Sequence, residues 1–326
     1  MRHRHLGAKG PEVSAIGLGC MGMTEVYGPA NESDGIATIH AALDAGISLI
    51  DTGDFYGMGL NELLVGKALK GHRDKAFIQV KFGAQRDPSG AWIGFDASPA
   101  AVKTALAYTL RRLGTEYVDL YMPARRDPDV PLEDTIGAIA DLIKEGYVRH
   151  LGVSEVSAAT ILAANAIHPL TALQHEYSVI ERGAETRHLP ALNQIGAGLT
   201  AYGVLSRGLL TSSVRSQTHY GDMRAHMPRF QPENLKHNQP LVDAFALVAK
   251  DKGLTAAQLA IAWVLSRDPH VIPLLGARTP RQLTETLGAL EVELTPTDHA
   301  RIDAAIPEGA IAGGRYGEHQ MRQVDL

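Results

Sequence analysis

Three side chains of different chemistry, a carboxylate, a phenol and an amine, lie within the first third of the chain. Asp51 ends an apolar run, Tyr56 follows five residues later, and Lys81 ends a second apolar run. A phenol with a free pKa of about 10 is a poor acid at neutral pH, but a neighbouring ammonium group lowers that pKa. A carboxylate beside the ammonium group keeps it charged and oriented. The three residues therefore predict general acid catalysis, such as protonation of the alkoxide that forms when a carbonyl group is reduced.

Each of these residues also has an ordinary structural interpretation. Asp51 and Thr52 could form a helix cap or a turn, Tyr56 could be a loop aromatic residue, and Lys81 could be a surface lysine. Their joint appearance at the ends of consecutive predicted strands favours the catalytic interpretation.

The elements that must position them alternate between short apolar runs and longer amphipathic segments. The predicted strands cover residues 13–18, 47–51, 76–81, 117–122, 150–153, 172–176, 199–202 and 271–274. The predicted helices cover residues 33–45, 61–69, 98–113, 132–144, 157–167, 186–194, 255–266 and 279–287. This alternation predicts a parallel sheet, and eight such units favour a closed α/β barrel, the (β/α)8 TIM barrel. The carboxyl ends of barrel strands share one mouth, so the three candidate residues should converge there.

The chain is predicted to form a single domain over residues 1–326, because no Ser/Gly-rich or charge-rich linker divides it. An alternating Arg2-His3-Arg4-His5 segment predicts an N-terminal β-hairpin. Residues 83–97 and 206–238 are predicted to be long loops at the C-terminal mouth, where loops of this length are usually functional. Residues 307–326 form a polar tail that is either loose or folded over the mouth.

A glycine pattern near the N-terminus, Gly17-Leu-Gly19-Cys-Met-Gly22, matches the dinucleotide-binding fingerprint GxGxxG. A Rossmann fold needs a helix that opens at the third glycine, whereas here a turn follows and the next helix starts near Ser33. We therefore favour a glycine-rich exit from the first barrel strand. Glycine also allows a ligand to approach the backbone closely, so a cofactor contact is expected at Cys20 and Met21.

The ordered motifs of the chain resemble those of the aldo-keto reductase superfamily, in particular its bacterial-type NADP-dependent members. The similar segments are Asp51-Thr-Gly-Asp-Phe-Tyr56-Gly, Asn61-Glu-Leu-Leu-Val-Gly66 with Lys81, Tyr117-Val-Asp-Leu-Tyr121, Gly146-Tyr-Val-Arg-His-Leu-Gly-Val-Ser154-Glu155, Gln174-His-Glu-Tyr177-Ser and Arg207-Gly-Leu-Leu-Thr211. The resemblance implies a (β/α)8 barrel that transfers hydride reversibly between NADP(H) and a small carbonyl compound or alcohol. It also implies that Tyr56 is the proton donor, that Lys81 lowers its pKa and that Asp51 anchors Lys81.

The resemblance further implies an extended NADP(H) site across the mouth. Ser154, Glu155 and Gln174 correspond to positions that hold the nicotinamide amide, although the family more often has Asn at the second of them. Tyr202 corresponds to the aromatic residue that lies against the nicotinamide ring. The segment Gly203, Val204, Leu205, Ser206, Arg207 and Gly208 would wrap the diphosphate, where Arg207 adds positive charge. The remaining expected cofactor contacts are Cys20, Met21 and Asp51.

The last strand–helix junction, which begins at Gly276, is expected to bind the adenosine half. Arg278 and Gln282 correspond to contacts with the 2′-phosphate, and Glu285 and Thr286 to contacts with adenine. A helix N-terminus favours anions and a guanidinium can bind phosphate through two hydrogen bonds, so NADP(H) is expected over NAD(H).

One position departs from the family pattern. The family usually places a histidine after the fourth strand, in Tyr-Tyr-Gln-His-Arg-x-Asp, whereas this chain has Tyr121-Met-Pro-Ala124-Arg125-Arg126-Asp127. Ala124 cannot donate a hydrogen bond to the substrate oxygen, and loss of one such donor in another enzyme costs about 10²–10³ in turnover. Potassium-channel β subunits of the same superfamily also lack this histidine. An NADP(H)-binding regulatory or redox-sensor protein is therefore one alternative, and a barrel enzyme of other chemistry, such as a hydrolase, is another.

Composition limits the classes of partner. The net charge of −5 predicts no general attraction to nucleic acid or to an anionic membrane. The single cysteine excludes an intrachain disulfide, and neither an HExxH pattern nor a tight Cys/His cluster indicates a metal site. With neither a signal-peptide pattern nor a membrane-spanning run, a cytoplasmic location is expected. The expected partner is a small carbonyl or alcohol substrate, and a homo-oligomer is compatible with the sequence.

Overall fold

The computed structural model describes residues 1–24, 26–211 and 222–325. Its strands are β1 His3–His5, β2 Glu12–Ser14, β3 Gly17–Gly19, β4 Leu49–Gly53, β5 Phe77–Phe82, β6 Ala84–Arg86, β7 Trp92–Phe95, β8 Val118–Pro123, β9 Val148–Ser154, β10 Leu170–Glu176, β11 Gly198–Tyr202 and β12 Val271–Gly276. Its α-helices are α1 Glu32–Asp44, α2 Leu60–Leu69, α3 Pro99–Leu113, α4 Leu132–Lys144, α5 Ala158–Ile167, α6 Gly183–Arg187, α7 Leu189–Ile195, α8 Pro232–Asp251, α9 Ala256–Arg267, α10 Pro280–Leu287, α11 Pro296–Ala305 and α12 Glu318–Met321.

Eight parallel strands close into a barrel in the order β3, β4, β5, β8, β9, β10, β11 and β12, and β12 pairs back with β3. Helices surround this barrel, so the predicted (β/α)8 fold is confirmed. Each barrel strand runs from the bottom of the barrel to the mouth. Asp51 and Lys81 therefore reach the mouth on the neighbouring strands β4 and β5.

Local sequence signals set several helix boundaries as predicted. The Ser98 hydroxyl caps α3 by accepting a hydrogen bond from the backbone N–H of Ala101, and Pro99 occupies the first turn. The helix ends at Gly114, which has the left-handed φ of 64° that glycine adopts readily. The bounds of α4 coincide with the predicted helix over residues 132–144.

The structure differs from the prediction where a proline or a hairpin interrupts a pattern. The predicted strand over residues 13–18 is two strands, because β2 pairs with β1 in the N-terminal hairpin and β3 joins the barrel. The predicted helix over residues 186–194 is divided at His188 into α6 and α7, and Pro190 lies in the first turn of α7. Proline has no N–H with which to continue the hydrogen bonds of a preceding helix.

The two predicted loops also contain regular structure. Residues 84–95 form the antiparallel hairpin β6–β7, whose strands pair Ala84 with Phe95. The prediction that residues 206–238 form a loop was wrong at its end, because α8 begins at Pro232. Residues 212–221 of that loop lie outside the described residues. Both segments follow barrel strands and stand at the mouth.

The N-terminal hairpin closes the barrel at the end opposite the mouth. Leu6 and Val13 from this hairpin are buried against Leu49, Leu120 and Ile272 from barrel strands. Burial of such side chains stabilises the fold by about 1.5–3 kcal/mol each. The hairpin therefore seals the barrel floor and leaves the mouth as the open face.

The C-terminal tail is folded over the mouth. The backbone N–H of Ala312 donates to Asn238, and the Gly313 carbonyl accepts from Arg229. Farther along, the Asp325 carboxylate accepts hydrogen bonds from the hydroxyls of Ser157 and Thr160 at the start of α5. Of the two alternatives for the tail, the folded one holds. Within the described ranges, no helix is both long enough and apolar enough to span a bilayer.

Candidate active site

A buried ion pair joins the ends of β4 and β5. The Lys81 Nζ donates to Asp51 Oδ1 at 2.6 Å and to the Thr52 carbonyl at 3.2 Å. The side-chain amides of Gln79 and Gln174 also donate to Asp51 Oδ1, each at 2.8 Å. Burial lowers the pKa of Lys81, while Asp51 acts in the opposite direction. Because one carboxylate oxygen accepts three hydrogen bonds, the ammonium group has a fixed position.

The phenol of Tyr56 lies beside this ion pair. The Lys81 Nζ is 5.1 Å from the centroid of the Tyr56 ring, and the Phe55 ring packs edge-on against the other side at 4.8 Å. A short turn with Gly57 in the left-handed region, at φ 55°, presents Tyr56 to the mouth. Burial raises the pKa of Tyr56 well above its usual value, Asp51 adds to this, and Arg125 acts against it. The structure therefore does not bear out the prediction that Lys81 lowers the pKa of Tyr56, because burial dominates. The phenol carries its proton, which is the form that can donate one.

A cavity of about 500 Å³ opens above the ion pair and the phenol. Most residues that the sequence predicted as site residues line it: Met21, Asp51, Tyr56, Lys81, Ser154, Gln174, Tyr202, Gly203, Val204, Leu205, Arg207, Gly208, Gly276, Arg278, Gln282, Glu285 and Thr286. The structure thus brings the predicted catalytic group and both ends of the predicted cofactor site into one continuous cavity.

Three predicted cofactor contacts are not among the lining residues. Cys20 is fully buried, with its Sγ 3.9 Å from the Leu18 carbonyl, and burial raises the pKa of its thiol. Ser206 is buried, with its hydroxyl 3.2 Å from that of Ser178. The third residue is Glu155. Cys20 and Ser206 therefore pack behind the cavity wall, where a side chain does not meet a ligand.

Glu155 binds the protein itself rather than facing the cavity. Its carboxylate accepts two hydrogen bonds from Arg315, at 2.8 and 3.1 Å, and one from the Tyr202 hydroxyl at 2.8 Å. Burial opposes its charge, but His175 and Arg315 outweigh that effect and hold the pKa of Glu155 below its usual range. The geometry thus differs from the expected contact between Glu155 and the nicotinamide amide. Glu155 anchors the tail and orients Tyr202.

Arg207 lines the cavity, but its guanidinium is engaged with a second buried carboxylate. Its two terminal nitrogens donate to the two oxygens of Glu176 at 3.2 and 3.1 Å. Arg229 donates to Glu176 as well, at 3.0 Å, and to Glu181 at 2.7 Å. The expected positive charge near the diphosphate is therefore partly neutralised within the protein.

The opposite end of the cavity is formed by the start of α10. Thr279 caps this helix by accepting from the backbone N–H of Gln282, and Gln282 in turn accepts from the backbone N–H of Arg278. The Arg278 guanidinium donates to the Tyr27 carbonyl at 3.0 Å and is partly exposed. A guanidinium and a helix N-terminus therefore meet here, a combination that suits a phosphate.

Several lining residues were missed by the sequence interpretation. The aromatic side chains of Phe55, Trp92 and Phe95 form one wall of the cavity, with Trp92 and Phe95 in edge-to-face contact at 4.9 Å. Of these, Trp92 could be predicted as a pocket residue because it lies in the long loop expected at the mouth over residues 83–97, whereas Phe55 and Phe95 were missed. Tyr316 comes from the tail, and its hydroxyl lies 2.7 Å from that of Tyr202. Gln79 does not line the cavity but donates to Asp51. Its position could have been predicted, because it lies two residues before Lys81 and therefore faces the same side of β5.

Ala124 is the residue at which the sequence resemblance predicts that the family histidine is replaced. It lines the cavity, and its backbone N–H donates to the Phe82 carbonyl at 2.8 Å, which fixes the chain there. Its methyl group offers no hydrogen bond. The next side chain, that of Arg125, also lines the cavity. A guanidinium thus lies next to Ala124 on the cavity wall.

With this geometry established, comparisons with known proteins identify the family. The model of the Aldo/keto reductase family matches residues 15–307. A Glycine max protein named "Probable aldo-keto reductase 1" is 42% identical over 316 residues, which cover 95% of this chain and 90% of that protein. The chain therefore belongs to the aldo/keto reductase family and is an oxidoreductase of that family.

Solved structures agree with this assignment. The glycerol dehydrogenase of Gluconobacter oxydans superposes with a TM-score of 0.85 at 31% identity, covering 93% of this chain and 94% of that one. A Bacillus halodurans aldo-keto reductase in its holo form superposes with a TM-score of 0.77 at 27% identity, covering 98% and 99%. The family generally binds a nicotinamide cofactor and acts on small molecules. Among the described residues, no group of three or more His, Cys, Asp or Glu side chains could hold a metal ion.

Proposed function

We propose that this protein is an NADP(H)-dependent oxidoreductase that interconverts small aldehydes or ketones and their alcohols. The observation that carries the proposal is the common cavity, in which the Tyr56 phenol and the buried Lys81–Asp51 ion pair share one space with Arg278. The cavity has a proton donor at one end and a phosphate-binding surface at the other. It therefore suits the simultaneous binding of a dinucleotide and a carbonyl compound.

Each residue of the proposed catalytic group has a distinct role. Asp51 keeps Lys81 charged and in place, and the Lys81 ammonium group stabilises negative charge that develops on Tyr56. Tyr56 donates its proton to the carbonyl oxygen as that oxygen becomes an alkoxide. Bound NADPH supplies the hydride in this reaction. The aromatic wall excludes water from the reacting atoms, and the alcohol oxidation runs through the same groups in reverse.

The residues present fit the proposed cofactor. The Ser154 hydroxyl and the Gln174 amide line the cavity beside Asp51 and offer polar contacts for a carboxamide. At Gly276 an added Cβ would meet no atom within 4 Å, so the backbone is open to a ligand. Arg278 and the N-terminus of α10 favour a cofactor with a 2′-phosphate, which supports NADP(H) over NAD(H).

The decisive experiment is single-turnover oxidation of bound NADPH with a panel of aldehydes. Tyr56→Phe should lower the rate by about 10²–10⁴, because it removes the proton donor. Tyr108→Phe, at a tyrosine that is 59% exposed, is the matched control and should leave the rate unchanged. NADPH affinity, measured by fluorescence titration, should be the same in both variants.

Ala124 favours a second candidate, an NADP(H)-binding regulatory or redox-sensor protein. Without a histidine donor, the substrate oxygen receives one fewer hydrogen bond, and turnover falls accordingly. Tight NADPH binding without any Tyr56-dependent oxidation would favour this second candidate. Absence of NADPH binding would contradict both candidates and favour a barrel enzyme of other chemistry.

A further inference from the structure

The Arg125 guanidinium is the feature of the cavity that the proposed reaction does not use. Arg125 follows Ala124 at the end of β8, and its Nη1 donates to the Ala124 carbonyl at 2.6 Å. Its Cζ lies 6.0 Å from the centroid of the Phe95 ring and 5.7 Å from that of the Tyr316 ring. The guanidinium therefore stands between the β6–β7 hairpin and the tail, on the wall of the cavity.

Three buried carboxylates at the mouth are already engaged with other cations. Glu155 pairs with Arg315, and Glu176 pairs with Arg207 and Arg229. Lys81 and Asp51 form a further pair. Among the residues that the structure describes, Arg125 forms no ion pair with a carboxylate. Glu155 acts on Arg125 electrostatically but is itself paired with Arg315. The partly buried Arg125 guanidinium therefore has no carboxylate as a direct partner, so an anion supplied by a ligand would be stabilised there.

The position of Arg125 assigns that anion to the substrate rather than to the cofactor. The proposed phosphate contacts lie along Gly203–Gly208 and at Arg278, whereas Arg125 follows Ala124 and lies against Phe95 of the β6–β7 hairpin. The charge of Arg125 acts on both Tyr56 and Lys81, which shows that it lies within electrostatic range of the reacting atoms. A substrate whose carbonyl oxygen meets Tyr56 can thus place a second group near Arg125.

The remaining walls define the body of such a substrate. Phe55, Trp92 and Phe95 follow one another in edge-to-face contacts, with Phe55 and Trp92 at 6.1 Å and Trp92 and Phe95 at 4.9 Å. This aromatic wall leads from Tyr56 towards Arg125. Aromatic faces favour a ring in offset or edge-on packing, and a guanidinium favours a carboxylate through two parallel hydrogen bonds.

We propose that Arg125 is a specificity-determining residue that binds the carboxylate of an aromatic carbonyl substrate. The preferred substrates are oxo-acids or aldehyde-acids, in which a flat apolar body separates the reacting carbonyl from the anion. This inference rests on the proposed function, because the reaction that the substrate undergoes is taken from it. The binding of the carboxylate itself does not depend on turnover.

The test compares two substrates that differ only in charge, 4-carboxybenzaldehyde and methyl 4-formylbenzoate. With NADPH, the wild type should have a kcat/KM about tenfold or more higher for the carboxylate than for the ester. Arg125→Gln should abolish that preference, because it should lower kcat/KM for the carboxylate about tenfold or more beyond any change for the ester. Arg125→Lys should retain part of the preference, because it keeps the charge but loses the two-bond geometry.

Arg126→Gln is the matched control, because the neighbouring Arg126 is 44% exposed and its closest carboxylate, that of Asp325, is 3.9 Å away. This variant should keep the full preference for the carboxylate. A wild type that does not distinguish the two substrates would overturn the assignment. So would an Arg125→Gln variant that loses activity equally with both, since Arg125 would then act on the carbonyl or on the fold.

A binding experiment separates this inference from the proposed function. Calorimetric titration of the NADP⁺ complex should show benzoate binding that Arg125→Gln weakens by about tenfold or more, and no binding of benzamide. If benzoate binds in this way while no aldehyde is reduced, the result supports the carboxylate site and contradicts the proposed reaction. If both aldehydes are reduced at equal efficiency and benzoate does not bind, the result supports the proposed reaction and contradicts the carboxylate site.

Discussion

Arg315, in the C-terminal tail, forms a two-bond ion pair with Glu155, at the end of β9, and both side chains are almost completely removed from solvent. The Nε2 of His175 lies 3.4 Å from the same guanidinium, and burial lowers the pKa of His175 to about 3, so its imidazole is neutral near pH 7. This buried charged pair therefore helps to fix the tail to the barrel, and its Glu155 also holds Tyr202 through the tyrosine hydroxyl.

Removal of one partner of this pair should be costly. Arg315→Met leaves Glu155 buried without its main counter-charge and should lower the free energy of unfolding by about 3–5 kcal/mol. Urea denaturation measures this change. Arg301→Met breaks an exposed pair with Asp251 and should cost at most about 1 kcal/mol. Equal losses of unfolding free energy in the two variants would show that the buried pair contributes no more to stability than the exposed one.

Asp54 should make the stability depend on pH. Burial and the nearby Glu62 raise the pKa of Asp54 to about 7, and one of its oxygens is buried without a hydrogen-bond partner. The folded state thus retains a proton that the unfolded state releases near pH 4. The stabilising contribution is complete below that pH and is lost as the pH rises towards 7.

Asp54→Asn should remove this dependence. At pH 8 the variant should be more stable than the wild type by about 1–3 kcal/mol, and near pH 4 the two should be similar. Urea denaturation across this pH range provides the measurement, with Asp74→Asn on the surface as control. A difference that does not change with pH would contradict the titration of Asp54.

Arg278 should set the preference for the cofactor. Arg278→Ala should weaken NADPH binding by about tenfold or more and leave NADH binding unchanged, because only NADPH has the 2′-phosphate. Arg281→Ala, at an exposed arginine in the first turn of α10, should have little effect. Fluorescence titration with both cofactors checks the ratio, and an unaltered ratio in Arg278→Ala would refute the assignment.

Gln79 should position the catalytic ion pair without contact to the substrate. Gln79→Leu removes one of the three hydrogen bonds to Asp51 Oδ1, so Lys81 becomes less firmly held. A hydrogen bond to a charged group contributes about 1.5–3 kcal/mol, and kcat should therefore fall about tenfold with NADPH affinity unchanged. Gln85→Leu, at an exposed position, should leave kcat as it is. A fall in NADPH affinity alone would contradict the positioning role.

The barrel could be predicted because its strands and helices carry local signals. Apolar runs, helix caps and glycine stops are readable without knowledge of distant contacts, as at Ser98 and Gly114. The helix α8 was missed because Pro240 lies inside it and its first two turns are polar, a composition typical of loops. The helix α11 was missed although Thr295 and Asp298 form a capping box, which was an available signal.

The catalytic group could be predicted for the same reason. Asp51 and Lys81 stand at strand ends, and the topology of a barrel brings strand ends together. The role of Glu155 could not be predicted, because its partner Arg315 lies 160 residues further along the chain. Local patterns carry no information about such a pairing. The placement of Arg125 on the cavity wall depends in the same way on the hairpin and on the tail.

The position of the tail in the sequence affects the order in which parts of the protein fold during synthesis. All eight barrel strands precede residue 277, whereas Arg315 and Tyr316 leave the ribosome after them. During synthesis, the barrel can close before the residues that hold Tyr202 and finish the mouth are present. A nascent chain arrested before residue 310 should therefore lack a finished binding surface, so the chain can bind ligands only after Arg315 and Tyr316 have been synthesised and have docked.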